Sequence, residues 1–346
     1  MKKDQKHPKD LENLIERLNK DCGTGAIMLG MQGVKMDVEV IPTGAISLDF
    51  ALGVGGIPRG RVTEIFGHEG CGKTTLCLHI IANAQKAGGN AAFIDVEHAV
   101  DLTYAKEIGV QLNDLVFSQP DNGEQALNLV EGLVKSNIVD VIVVDSAAAL
   151  VTKEELDGEV GDRTIGATAK LIGKSLRRIT TVLSGSRTAL VFINQTRVKI
   201  GAFFGDPDDT PGGKALKFFS TIRMKMNKVQ SIREGEKVVG NLVAVKVIKN
   251  KVAPPFRGAR FDIRFGKGIS YVGSLIDMSV DYHIITKSGA FLNFNELKLG
   301  NGKAAACAFL SENPNISEEI KGKLFAKFQE SGVEEVAESK ESDDNG

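Results

Sequence analysis

The sequence predicts an α/β protein built on a mostly parallel central sheet with helices on both faces, and three observations carry that prediction. From Arg61 to Asn194, apolar strand-like runs alternate with amphipathic helical runs, the pattern of a sheet covered on both sides. The run RVTEIF opens through a glycine-rich loop into a helix, in Gly67-x-x-x-x-Gly72-Lys73-Thr74. Polar residues gather just past the strands, where open α/β sheets place their sites.

Taken in order, Leu11, Leu14, Ile15 and Leu18 fall at helical spacing. This short helix must dock on something, either its own domain or a neighbouring subunit. Residues 1–34 are read as helix and linker, and 35–268 as the core. Within the core the expected strands are RVTEIF, AAFID, LVFSQ, VDVIVVD and TALVFIN. Helices are expected over Lys73–Lys86, Leu102–Ile108, Gly123–Ser136 and Ala167–Leu183. FFSTIRMKM, VVGNLVAVKVIKN and ARFDIRF, with a turn at Glu234–Glu236, read as antiparallel additions at the sheet edge. A small C-terminal α/β domain is expected over 269–330, with helices at Lys303–Glu312 and Ser317–Phe328. Residues 331–346 hold six acids against one lysine and no aromatic residue, which describes a disordered acidic tail.

Composition narrows the class. The 346 residues are 42% hydrophobic and 25% charged, with a formal net charge of −1. No apolar run approaches the roughly 18 residues of a membrane span, so no membrane role is expected. MKKDQKHPKD lacks the apolar segment of a secretory signal, which points to the cytoplasm. The four cysteines form no CxxC pair and no zinc-like cluster, so reduced thiols are expected. Nucleic-acid binding, if present, must come from local basic surface.

The stretch Gly67, His68, Glu69, Gly70, Cys71, Gly72, Lys73, Thr74, Thr75 is the candidate phosphate cradle. Glycines let backbone N–H groups face the phosphates at a helix N-terminus. Lys73 is assigned to the β- and γ-phosphates of a bound nucleotide, and the Thr74 hydroxyl to Mg²⁺. LGVGGIPRG (Leu52–Gly60) imitates a dinucleotide fingerprint, but it precedes the strand and carries Pro58, so it is read as a turn. Asp145 ends an apolar strand and is assigned to the metal, the alternative being a helix cap. Glu97, just past AAFID, is the candidate general base, the alternative being a solvated surface acid. Gln195 can sense a γ-phosphate through its amide. Cys71 is read as a small residue whose backbone does the binding; a second reading makes it an oxidation-sensitive thiol activated by the helix N-terminus.

Two loops are candidates for a polymer. Residues 195–214 hold glycines, phenylalanines and basic groups, a mixture that suits single strands, with Asp206, Asp208 and Asp209 opposing. Residues 155–165 precede a helix bearing Lys170, Lys174, Arg177 and Arg178, which is equally an ordinary basic surface.

GHEGCGKTT, FIDVEHAVD, SQPDNGEQAL, VDVIVVDSAAAL, INQTRVKIG, GGKALKFF and VIKNKVAPPF, in this order and spacing, closely resemble the bacterial RecA recombinase family from about Cys22 to Phe328. The resemblance implies a DNA-stimulated ATPase that forms a helical filament on single-stranded DNA. It implies pairing of that strand with homologous duplex, strand exchange, and activation of self-cleavage in an SOS repressor. It puts Glu97 on the catalytic glutamate, Gln195 on the nucleotide-sensing glutamine, and Asp101 and Tyr104 on adenine-contacting positions. Lys249 and Lys251 fall on lysines that reach the neighbouring subunit's ATP, and Phe218 on an interface position. Ile165, Lys170, Arg177, Arg197, Lys199, Ile200, Gly212 and Gly213 fall on DNA-binding positions, with Ile165 and Ile200 separating base triplets. The chain departs from the family pattern at Gly70-Cys71 (commonly Ser-Ser), Lys170 (Arg), Asp208 (Glu) and Phe265 (Tyr). A hexameric helicase motor on the same core is disfavoured by the short N-terminal region, a zinc-bearing relative by the missing CxxC pairs, and a non-enzymatic ATP-switched scaffold by Glu97.

Overall fold

A computed structural model of the chain describes residues 8–24, 26–29, 38–159, 166–198 and 208–343. The chain divides into two units, Met1–Glu39 and Val40–Gly346. In the first, α1 (Pro8–Cys22) is amphipathic and leaves Leu11 and Leu14 exposed. The Asn19 side chain then holds Ile27, donating to its carbonyl at 2.8 Å and accepting from its N–H at 2.9 Å.

The second unit begins with β1 (Val40–Ile41), α2 (Ile46–Leu52) and β2 (Ile57–Pro58), the two short strands pairing antiparallel. Gly53, left-handed at φ 75°, ends α2, so the false dinucleotide fingerprint turns there as expected, but its Ile57–Pro58 forms β2. There follow β3 (Val62–Gly67), α3 (Lys73–Lys86), β4 (Ala91–Asp95), α4 (Leu102–Ile108), β5 (Leu115–Ser118), α5 (Gly123–Ser136) and β6 (Val141–Asp145). Next come α6 (Lys153–Asp157), α7 (Ala167–Leu183), β7 (Ala189–Gln195), the short antiparallel pair β8 (Arg197–Val198) and β9 (Asp208–Asp209), and α8 (Ala215–Phe219). The sheet is completed by β10 (Ile222–Glu234), β11 (Lys237–Asn250), β12 (Gly258–Arg264) and β13 (Gly268–Ile269).

The central sheet has nine strands in the order β13-β12-β11-β10-β3-β7-β6-β4-β5. All pairings from β10 to β5 are parallel, and those from β10 to β13 antiparallel. Period-2 alternation explains the two cores: Phe93, Val141 and Val143 enter one, while Ile94, Ile142 and Val144 enter the other. Helices on both faces bury both sets, which is why β6 reads as one apolar run.

Three expectations are corrected. FFSTIRMKM is not purely an antiparallel addition: β10 lies parallel to β3 and only its partner β11 runs back. Residues 153–157 are helical, so the loop read from Glu155 starts after Asp157; Thr152 caps this helix by accepting from the Glu155 N–H. The last helix, α11 (Pro314–Asp343), runs through most of the stretch read as a disordered tail; its Glu, Ala and Lys residues are good helix formers.

Between β13 and that helix lie α9 (Tyr271–Asp281), the meander β14 (Ile285–Ser288), β15 (Phe291–Phe294) and β16 (Leu297–Asn301), and α10 (Gly302–Glu312). Their core takes in Ile46 and Phe50 of α2. Phe328 meets Phe50 edge-on at 4.2 Å between centroids.

Candidate nucleotide site and nucleic-acid interface

The loop after β3 is a cradle that only glycine permits at key points. A Cβ on Gly67 would run into the Met226 carbonyl, and one on Gly72, which is left-handed, into the Ile263 side chain. The helix α3 therefore starts with its first N–H groups turned into the loop, an anion site by geometry and by helix dipole. Lys73, 9% exposed, donates from Nζ to the carbonyls of Gly67 at 3.0 Å and His68 at 2.9 Å. Cys71 is 2% exposed and belongs to the apolar core, and burial pushes its thiol up against the opposing pull of Lys73. Burial therefore favours the reading of Cys71 as a small residue of the loop over that of an activated thiol.

The strand ends converge as the parallel sheet requires. Thr74 Oγ1 donates to Asp145 Oδ2 at 2.7 Å. Asp145 is pushed up to about 6, mainly by burial; the Thr74 hydroxyl opposes this, Glu97 and Asp95 add to it, and Lys73 opposes it. Asp145 and Ser146 are joined by a cis peptide bond. Glu97 Oε1 accepts from the Ser146 hydroxyl and from Gln195 Nε2, the latter at 3.0 Å. The strand bearing Glu97 is tied to β6 beyond its end, since Val96 and Glu97 donate their N–H groups to the Asp145 carbonyl at 2.7 and 3.1 Å. Asp95, fully buried, accepts from Gln119 Nε2 at 2.9 Å.

Beside the cradle a cavity of about 250 Å³ is lined by Gly70, Gly72, Thr75, Tyr104, Asn241 and Phe265, among others. Thr75 Oγ1 lies 3.3 Å from the Tyr104 hydroxyl. Asp101 caps α4, accepting from the N–H groups of Thr103 and Tyr104 at 2.8 and 3.1 Å. Asn241 Oδ1 is buried with no hydrogen-bond partner among the described residues, and Tyr104 and Phe265 give the cavity its aromatic lining.

Lys249 and Lys251 are not brought to this cradle. Arg223 stands opposite both Glu64 and Lys249, whereas Gly67 stands opposite Met226. Lys249 is thus three residues, or about 10 Å, back along the strands from the loop and two strand spacings to the side. Its Nζ donates to the carbonyls of Lys217 at 2.6 Å and Phe218 at 3.0 Å, while the Phe218 ring is 69% exposed.

Of the nucleic-acid candidates, Ile165, Lys199 and Ile200 lie outside the described residues. Lys170 and Arg177 are exposed on α7, and Arg197 is exposed on β8. Gly212 and Gly213, both left-handed, pack tightly on that helix: a Cβ at either meets Ile172 or Ala169 within 2.9 Å. One end of the long loop therefore lies beside the basic helix. Ser146, Glu64, Asn194 and Arg223 were not singled out from the sequence. A carboxylate in the middle of VTEIF was the available signal for Glu64, while the others became legible only with strand register.

A parallel sheet with a phosphate loop after one strand and acids at the ends of two others, β6 and β4, defines a nucleotide triphosphatase of the phosphate-loop class. A family model described as the RecA N-terminal domain matches residues 9–270, and one described as the RecA C-terminal domain matches 273–329. A Protein RecA from Caldanaerobacter subterraneus subsp. tengcongensis is 52% identical over 320 residues, covering 92% of this chain and 94% of its own. Another from Bacteroides thetaiotaomicron is 52% identical over 318 residues, with 92% and 96% covered. A third from Geobacter metallireducens is 49% identical over 337 residues, with 96% and 99% covered. The chain belongs to the RecA family. It is a DNA-dependent ATPase of homologous recombination and DNA repair that binds DNA and forms filaments.

Proposed function

We propose that this chain assembles on single-stranded DNA, pairs it with homologous duplex and exchanges strands, with each ATP held between two subunits. The observation that carries the reading is the double hydrogen bond on Glu97: Ser146 and Gln195 both donate to Oε1, and Oε2 receives no hydrogen bond among the described residues. Oε2 is then the oxygen that takes a proton from the attacking water. Lys73, lifted from the loop carbonyls, meets the β- and γ-phosphates, and the backbone N–H groups of Gly67–Thr75 hold their oxygens. The adenine occupies the cavity beside Tyr104 and Asp101, with Phe265 contributing a ring and no hydroxyl.

The Thr74 hydroxyl and Asp145 suit Mg²⁺: they lie 2.7 Å apart, and Asp145 is raised mainly by burial, with Glu97 and Asp95 adding to it. An Mg²⁺ ion held there would keep several waters and take phosphate oxygens as its other ligands. When bound, Mg²⁺ neutralises phosphate charge.

Since Lys249 lies away from its own chain's cradle, Lys249 and Lys251 serve the neighbour's ATP, stabilising charge as an arginine finger does. Phe218 links the site to the subunit interface, and the N-terminal helix is a docking arm for a neighbouring subunit. Lys170, Arg177, Arg197, Lys199, Gly212 and Gly213 hold DNA phosphates, and Ile165 and Ile200 part the bases. Further partners are duplex DNA and an SOS repressor whose self-cleavage the filament activates. No helix among the described residues is long and apolar enough to cross a membrane, and the setting we assign is the cytoplasm.

The test is ATP hydrolysis with and without single-stranded DNA, on the wild type and on Glu97→Gln. Stimulation by DNA that disappears in the variant, with ATP and DNA still bound, is the expected outcome. Turnover indifferent to DNA contradicts the reading.

A further inference from the structure

Glu64 has no exposed surface and sits in the middle of β3 among Val62, Thr63, Ile65 and Phe66. A carboxylate in such a place is costly unless both oxygens are paired, and apolar residues of the same volume commonly serve stability as well or better. Its two oxygens are divided between the neighbouring strands. Oε1 accepts from Asn194 Nδ2 of β7 at 2.9 Å, and Oε2 from Arg223 Nε of β10 at 2.5 Å.

Each partner leads onward. Asn194 Nδ2 also donates to the Pro211 carbonyl at 3.2 Å, at the end of the long loop, and Asn194 Oδ1 accepts from the Gln195 N–H at 3.0 Å. The Gln195 side chain in turn donates to Glu97. On the other side, the Arg223 guanidinium lies 4.8 Å from the Phe66 ring centroid and stands in register with Lys249. One buried carboxylate thus joins the ATP-sensing amide, the loop end and the strand that carries the intersubunit lysine.

We propose that Glu64 is a positioning residue that couples DNA at the long loop to hydrolysis, by fixing Asn194 against Arg223. The proposal rests on the roles assigned above to Gln195 and Lys249. A shift of Gln195 toward a γ-phosphate pulls on Asn194, and Asn194 moves either with Pro211 and Glu64 or by breaking their bonds. Coupling of this kind is reciprocal, so DNA at the loop biases the same amide.

The experiment uses the full-length chain and measures kcat and KM for ATP, with and without single-stranded polythymidylate, alongside thermal melts. The variants are Glu64→Gln, Asn194→Ala, the pair combined, and Arg223→Lys. For Glu64→Gln, DNA-free kcat and KM stay within about twofold of wild type, while stimulation by DNA falls about tenfold, inside the usual range of a coupling. The combined variant loses no more stimulation than the worse single one. If Glu64→Gln melts far below wild type, Arg223→Lys, which keeps the buried charge but not the planar fork, is read in its place with the same expected loss. Full stimulation in the single variants, or losses that multiply in the pair, overturns the proposal. A wild type indifferent to DNA overturns the functional reading and this link with it, whereas a stimulated wild type beside an equally stimulated variant overturns the link alone.

Discussion

In β6 every residue from Val141 to Asp145 is buried, whereas β10 and β11 alternate buried and half-buried residues near the sheet and are exposed toward their shared turn. The difference follows from what covers each half. Helices on both faces leave the parallel strands little place for polar groups except at their ends, where Glu97, Asp145 and Gln195 lie; the buried exception, Glu64 in β3, has both carboxylate oxygens hydrogen-bonded. The antiparallel strands keep one face less covered and hold Arg223 and Lys249 within their length. The parallel half therefore concentrates the groups proposed for ATP chemistry at one edge, and the antiparallel half presents cations away from it.

Asp145 sharpens that contrast most. Its carboxyl is raised from 3.8 to about 6, so the folded chain holds this proton more tightly than the unfolded chain. The associated stability is full below about pH 4 and is lost as pH rises through 6. Asp145→Asn removes this loss and stabilises the nucleotide-free protein at pH 7 by on the order of 2 kcal/mol, while hydrolysis falls about 100-fold if Asp145 holds the metal as proposed. Melting curves from pH 4 to 7, with the slope between pH 4 and 6 flattened in the variant, check the first part, and steady-state hydrolysis the second.

The two halves also differ in what a truncation costs. Val143→Ala, in the doubly covered strand, is expected to cost about 2 kcal/mol. Glu234→Ala, which breaks an exposed pair with Arg264 at the far end of the ribbon, is expected to cost less than about 0.5 kcal/mol. Urea unfolding of both variants measures the difference, and equal costs contradict the two-half description.

Cys71→Ser has the smallest expected effect. Since the loop binds through its backbone, hydrolysis stays within about twofold, and burying a hydroxyl in place of the thiol costs about 1 kcal/mol. Alkylation kinetics of the wild type supply the check: the buried Cys71 reacts far more slowly than the exposed Cys22.

Much of this was legible in the sequence because local chemistry fixes it. GHEGCGKTT needs its glycines wherever it occurs, and VIVVD can be little else than a doubly buried strand with an acid at its end. The partners of Glu97 and Glu64 were not legible, because Ser146, Gln195, Asn194 and Arg223 meet them only through the order of β4, β6, β7, β3 and β10. The parallel pairing of β10 was hidden for the same reason: its hairpin with β11 is local, but its neighbour β3 lies more than 150 residues earlier. The helical stretch beyond Phe328 was missed because acidic composition outweighed helix propensity in the reading.

The central claim is that one chain cannot complete its own ATP site. Glu97→Gln and Lys249→Ala chains, each inactive alone, can be mixed in equal amounts on single-stranded DNA and assayed for ATP hydrolysis. If Lys249 serves the neighbour, about one interface in four joins an intact Glu97 to an intact Lys249, and about a quarter of wild-type activity returns. If both residues act within one chain, no subunit holds both, and a mixture that stays inactive contradicts the account.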